Sequence, residues 1–171
     1  MNQLKRVFVW LARIHRCRGF GIQSPTDYRF VRYVVNEHLP YYAYDQLDSG
    51  NWLRTKLGCL YLRIANWRQP AMIVDRVGVS DYLHAGCKRA VIGNDGSSID
   101  MACTDITDDY RQLLSRCNEG AVIVFEHIWQ HKKRWHLIEQ APRVAVSYDL
   151  YYCGVVIIGC RQARQSYIVN F

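Results

Sequence analysis

The sequence has no long apolar run, no cysteine pair at C-x-x-C spacing and, in its first 34 residues, only one acid. The first lack excludes a transmembrane segment. The start, MNQLKRVFVWLARIHRC, carries basic residues but too short an apolar stretch before Arg13 for a secretory signal, so none is expected. Seven cysteines, an odd number and widely scattered, make neither a disulfide framework nor a zinc framework. They read as small buried hydrophobes in a reducing, cytoplasmic setting. Cys153 and Cys160, which bracket an apolar strand, are expected to be inert.

The scarcity of acid at the head makes the charge asymmetric. Residues 1–34 hold Lys5, Arg6, Arg13, Arg16, Arg18, Arg29 and Arg32 against Asp27 alone, a net +6 of the chain's +7. Such a head could face nucleic acid, an anionic lipid surface or an acidic partner. The plainer alternative, a solvated helix face, is preferred. Nucleic acid is not expected as a partner. Phe8 and Trp10 beside the arginines suit a membrane surface. A packing role is favoured instead, because the apolar stripe Leu4, Val7, Phe8, Leu11 needs something to cover it.

What is there is a chain of 171 residues, half of them apolar, long enough for one domain with a real core. Residues 2–17 have helical periodicity, broken by Gly19 and Gly21. Ser24-Pro25-Thr26-Asp27 is a helix start, with a capping serine, proline at the first position and an acid at the positive end of the dipole. That helix is expected to reach about Glu37 and to stop before Pro40. A third helix is expected over about 51–67. After Pro70 short β-branched runs alternate with amphipathic segments, implying a parallel sheet covered on both faces. The last three strands, VAVSYDL, GVVIIGC and QSYIVNF, have no room for helices between them and should pair antiparallel. The expected organisation is a helical extension over 1–69 and an α/β domain over 70–171.

Two words in the extension, Gly19-Phe20-Gly21-Ile22-Gln23-Ser24-Pro25 and Pro40-Tyr41-Tyr42-Ala43-Tyr44, are distinctive, as is the tail from Val122 to the closing hairpin. In these the chain resembles a group of bacterial class I S-adenosylmethionine-dependent methyltransferases that carry an N-terminal helical extension. The resemblance implies a reduced Rossmann-like methyltransferase sheet with antiparallel C-terminal strands and S-adenosylmethionine as cofactor. It is close at both flanks and poor in the middle. A working member has Leu-Glu-Leu-Gly-Thr-x-x-Gly at its first strand, where this chain has Ile73-Val74-Asp75-Arg76-Val77-Gly78-Val79-Ser80. Asp75 then stands for the cofactor-binding acid and Gly78 for the last glycine. The first glycine is missing, and Val77, being β-branched, resists the backbone geometry that glycine supplies.

The second departure is larger. Between RAVIG and SIDMAC stand only a few residues around Asn94-Asp95-Gly96, a tight-turn sequence, whereas a parallel crossover ordinarily needs about a dozen. A strand-helix unit is therefore missing, along with part of the adenine pocket wall. Asp95 is either a remnant of the ribose-binding acid or, preferably, a turn residue. Asp105 matches the acid at the catalytic mouth, and Glu126, followed by His127, sits where the resemblance implies an acidic pair. Two such carboxylates could accept a proton from a methyl acceptor or hold a divalent cation. His127 in place of an acid weakens the cation reading, and no metal is expected. His127 and His131, four apart, could share a helix face at zinc-ligand spacing. With no clear third ligand, a solvated face is preferred. Trp129, Trp135, Tyr148, Tyr151 and Tyr152 lie among basic residues, and the tyrosines are expected to pack a core or an interface.

Two functions are expected from this. One is a methyltransferase-like protein that has lost, or largely lost, cofactor binding and serves as a binding or assembly module. The other is an active small-molecule methyltransferase with a shortened loop. The gap left by the missing unit exposes a strand edge that a homodimer would cover.

Overall fold

Asn51 and Asp109 show how local chemistry starts the helices. The Asn51 side chain accepts from the amides of Leu53 and Arg54 to begin α3 (Trp52–Arg68), and Asp109 does the same for α5 (Tyr110–Ser115). The structure, a computed structural model, describes residues 3–37, 39, 41, 43, 44, 47, 50–160 and 164–171, with the side chains of Gln3 and Lys5 excepted. Pro40 and Tyr42 of the aromatic word lie outside the described residues, as does Asn2 at the expected start of the first helix.

The first helix, α1, spans Gln3–Ala12 and is followed by a single 3-10 turn at Ile14–Arg16. Ser24 caps α2 (Pro25–Phe30) as expected, its Oγ accepting from the Asp27 amide at 3.3 Å, and a wider π turn continues it over Val31–Val35. The later elements are β1 (Met72–Asp75), α4 (Ser80–Gly86), β2 (Val91–Gly93), β3 (Ile99–Asp105), α5 and β4 (Cys117–Glu126). After them come α6 (Lys132–Glu139), β5 (Val144–Asp149), β6 (Cys153–Ile158) and β7 (Gln165–Ile168).

Among the described residues, seven strands form one mixed sheet in the order β2-β1-β3-β4-β6-β5-β7. The first four are parallel, and β6 is antiparallel to both β4 and β5. The chain is thus an α/β protein with a mixed sheet. Strand side chains alternate between two layers. Ile73, Met101, Val122 and Val124 face a core built with α2, its π turn, α3 and α4, while Val74, Ala102, Ile123 and Phe125 face α5 and α6. The N-terminal helices supply most of one layer, so the core is continuous across the boundary expected at residue 70. Asp27 reinforces this, buried in α2 and accepting from Tyr148 on β5 and Tyr167 on β7.

Four expectations are corrected. The last strand does run antiparallel to β6, but it pairs with β5, and parallel to it. Both edges of β6 are taken by β4 and β5, so the free edge is the far side of β5. Second, β2 and β3 flank β1 and are both parallel to it although only residues 94–98 join them. The jump is two strand spacings sideways and three residues back, roughly 14 Å, within reach of six steps of about 3.8 Å. A three-residue β2 makes this possible, and Gly96 lies so near β1 that a Cβ there would come 2.8 Å from the Met72 side chain.

Third, α6 begins at Lys132, so His127 and His131 do not share a helix. Fourth, the apolar stripe of α1 is not packed away. Leu4, Val7, Phe8 and Leu11 are exposed, and the helix turns Arg6, Val9 and Arg13 inward. Trp135, Tyr148 and Tyr152 are buried, as core packing requires. Of the cysteines, Cys87, Cys103, Cys117 and Cys153 are buried, Cys17 and Cys59 half-buried, and Cys160 exposed, which removes the reason for expecting that thiol to be inert.

Candidate functional site

The carboxyl ends of β1, β3 and β4 bring Asp75, Asp105 and Glu126 to one end of the sheet, where open α/β sheets receive ligands. Asp105 and Glu126 are register partners on neighbouring strands. Each of the three carboxylates has a different set of partners.

Asp75 is buried, and its own loop surrounds it. Oδ1 accepts from the amides of Val77 (3.1 Å) and Gly78 (2.8 Å), and Oδ2 from the Val79 amide and the Ser80 hydroxyl, both at 2.7 Å. A carboxylate offers about four acceptor positions, and all are in use. Gly78 takes φ +71°, the conformation glycine supplies most easily. From α3, Arg54 donates through one nitrogen to the carbonyls of Val77 and Gly78. Both backbone polar groups of Gly78 are therefore engaged within the chain.

Asp105 sits at the surface end of β3. Its Oδ1 accepts from the Thr107 amide (2.9 Å) and hydroxyl (2.6 Å), and its Oδ2 lies 2.6 Å from His127 Nδ1. Partial burial works to raise its pKa, but the Thr107 bonds, joined by His127, outweigh it and hold the carboxyl below its ordinary value. An ionised Asp105 can only accept, so Nδ1 of His127 carries the shared proton. His127 itself has φ +61°, a conformation uncommon outside glycine, and its amide donates to the Tyr152 carbonyl.

Glu126 is buried and accepts from the Tyr61 hydroxyl at 2.5 Å. Burial, followed by the adjacent Glu126 charge, pushes the Tyr61 phenol well above its ordinary value, so the phenol is the donor. This carboxylate joins the N-terminal helices to the sheet. Cys103, the register partner of Asp75, and Cys153, that of Glu126, are fully buried nearby, and burial pushes both thiols up. Asp95 stands apart, exposed and paired with Arg116 and the Gly96 amide.

The structure thus brings three of the five sequence-predicted residues to one end of the sheet, with Gly78 in the loop beside them, and leaves Asp95 outside. Arg54 and Tyr61 carried no signal in the sequence, because both lie on an ordinary helix and meet their partners only through the fold. Five cavities of the described surface lie elsewhere, none of them lined by Asp75, Gly78, Asp95, Asp105 or Glu126. Among the described residues no group of three His, Cys, Asp or Glu could hold a metal, and no helix is long and apolar enough to cross a membrane.

Fold and site define an α/β protein with a mixed seven-stranded sheet and a carboxylate-lined strand end. No family model, no curated protein and no solved structure matches the chain.

Proposed function

We propose that this is a class I methyltransferase-like protein with weak or lost cofactor binding, the polar groups of its loop being engaged within its own chain, and that it works as a binding or assembly module. The strand order supports the resemblance. A doubly wound sheet of order 3-2-1-4-5 that loses its outer strand 3 becomes 2-1-4-5, which corresponds to β2-β1-β3-β4 here. The observation that carries the loss of cofactor binding is the saturation of Asp75 by Val77, Gly78, Val79 and Ser80. With Arg54 on the loop carbonyls, an adenosyl cofactor would have to displace bonds the chain already makes. As bonded here, these residues do not fit S-adenosylmethionine, which could enter only if the loop released them. Calorimetry with S-adenosylmethionine and S-adenosylhomocysteine is expected to show no saturable heat tighter than about millimolar, which corresponds to about 4 kcal/mol. Micromolar binding of either nucleoside overturns the proposal.

The Asp105–His127 pair favours a second reading, an active small-molecule methyltransferase. Asp105 fixes Nδ1 as the donor, so a neutral His127 presents Nε2 as a base. Methyl transfer to an acceptor, lost in His127→Gln, would establish it. Absence of turnover with the intact chain excludes it.

A further inference from the structure

Helix α1 is docked with its apolar side outward. At 100° per residue, Leu4, Val7, Phe8 and Leu11 share one face, and Arg6, Val9 and Arg13 share the opposite one. The first set is 68%, 55%, 70% and 49% exposed. The second set faces the body. The Arg6 guanidinium lies 3.7 Å from the Trp52 ring, and Arg13 pairs with Asp149 at 2.9 Å. The C-terminal segment fixes this orientation, because Asn170 donates to the carbonyls of Trp10 and Arg16. The inverted helix is therefore held in place by specific bonds. Phe20, in the loop that follows, is 81% exposed.

Exposed cations follow this helix in the chain. Arg16, Arg18 and Arg29 are exposed and form no ion pair among the described residues. We propose that the outward face of α1, together with the exposed Arg16 and Arg18 that follow it in the chain, docks the protein on an anionic phospholipid surface. Both halves of the patch are satisfied there at once: Leu4, Val7, Phe8 and Leu11 enter the acyl boundary, and the guanidinium groups meet lipid phosphates. A second copy of the chain satisfies only the apolar half. Stacking α1 on α1 brings together two basic heads, each net +6 over residues 1–34 before the Arg13–Asp149 pair is counted, which repel. The proposal uses residues outside the strand-end site and stands whether or not a nucleoside binds there.

The test is co-sedimentation of the full chain with vesicles of phosphatidylcholine alone and of phosphatidylcholine mixed with phosphatidylglycerol. Binding is expected to the mixed vesicles only and to fall as salt is raised. Phe8→Ser with Leu11→Ser should weaken it by at least about tenfold, and Arg16→Glu with Arg18→Glu should abolish its dependence on phosphatidylglycerol. All four side chains are exposed, so the thermal midpoints of both variants should match that of the parent. Three results overturn the proposal: no sedimentation with mixed vesicles, equal binding by the Phe8/Leu11 variant, or a dimer in analytical ultracentrifugation that this variant dissociates.

Discussion

Asp75, Asp105 and Glu126 are three carboxylates at similar chain positions, the carboxyl ends of parallel strands, with three different roles. Asp75 organises its own turn, Glu126 holds a neighbouring helix, and Asp105 holds a histidine near solvent. Only the last leaves a reactive atom outside the chain. The lowered pKa of Asp105 has a signed consequence for stability. Its folded value lies below the unfolded one, so its contribution is complete above the ordinary carboxylate range and is lost as pH falls through the folded value. Acid titration of urea stability should therefore fall less steeply at low pH in Asp105→Asn than in the parent.

At the scale of elements, α3 and α4 pack closely against each other. This packing depends on two absent side chains. A Cβ on Gly58 would lie 2.4 Å from the Tyr82 ring, and one on Gly86 would lie 2.3 Å from the Leu62 carbonyl. Helix propensity alone favours alanine at Gly58 by about 1 kcal/mol. The contact with Tyr82 reverses that preference, and Gly58→Ala is expected to cost about 1–3 kcal/mol in chemical denaturation. Most elements were legible in the sequence because their signals are local. Ser24-Pro25 marks a helix start by capping, and the helix expected over about 51–67 forms as Trp52–Arg68. Helix ends were less legible. The helix expected to run from Ser24 to about Glu37 is α-helical only over Pro25–Phe30 and continues as a π turn to Val35.

Across the whole molecule, the N-terminal helices and the sheet share one core, and Tyr61–Glu126 is a buried polar joint between them. Tyr61→Phe leaves the carboxylate without that donor and should lower unfolding free energy by about 1–3 kcal/mol, measured by urea denaturation. One cooperative transition for probes on both parts is the accompanying expectation. The candidate site was legible to the extent that strand-terminal acids can be picked out by eye. Its closure by Arg54 was not, since 23 residues of chain separate that side chain from the Val77 carbonyl it meets.

The sequence by itself determined the order of elements, the basic head and the positions of the acids, because periodicity, capping and charge are properties of neighbouring residues. Only the tertiary structure decided that β7 joins β5, that α1 turns its apolar face outward and that Asp75 has no acceptor to spare. Each of these depends on which edges, faces and donors remain free after every other element has packed.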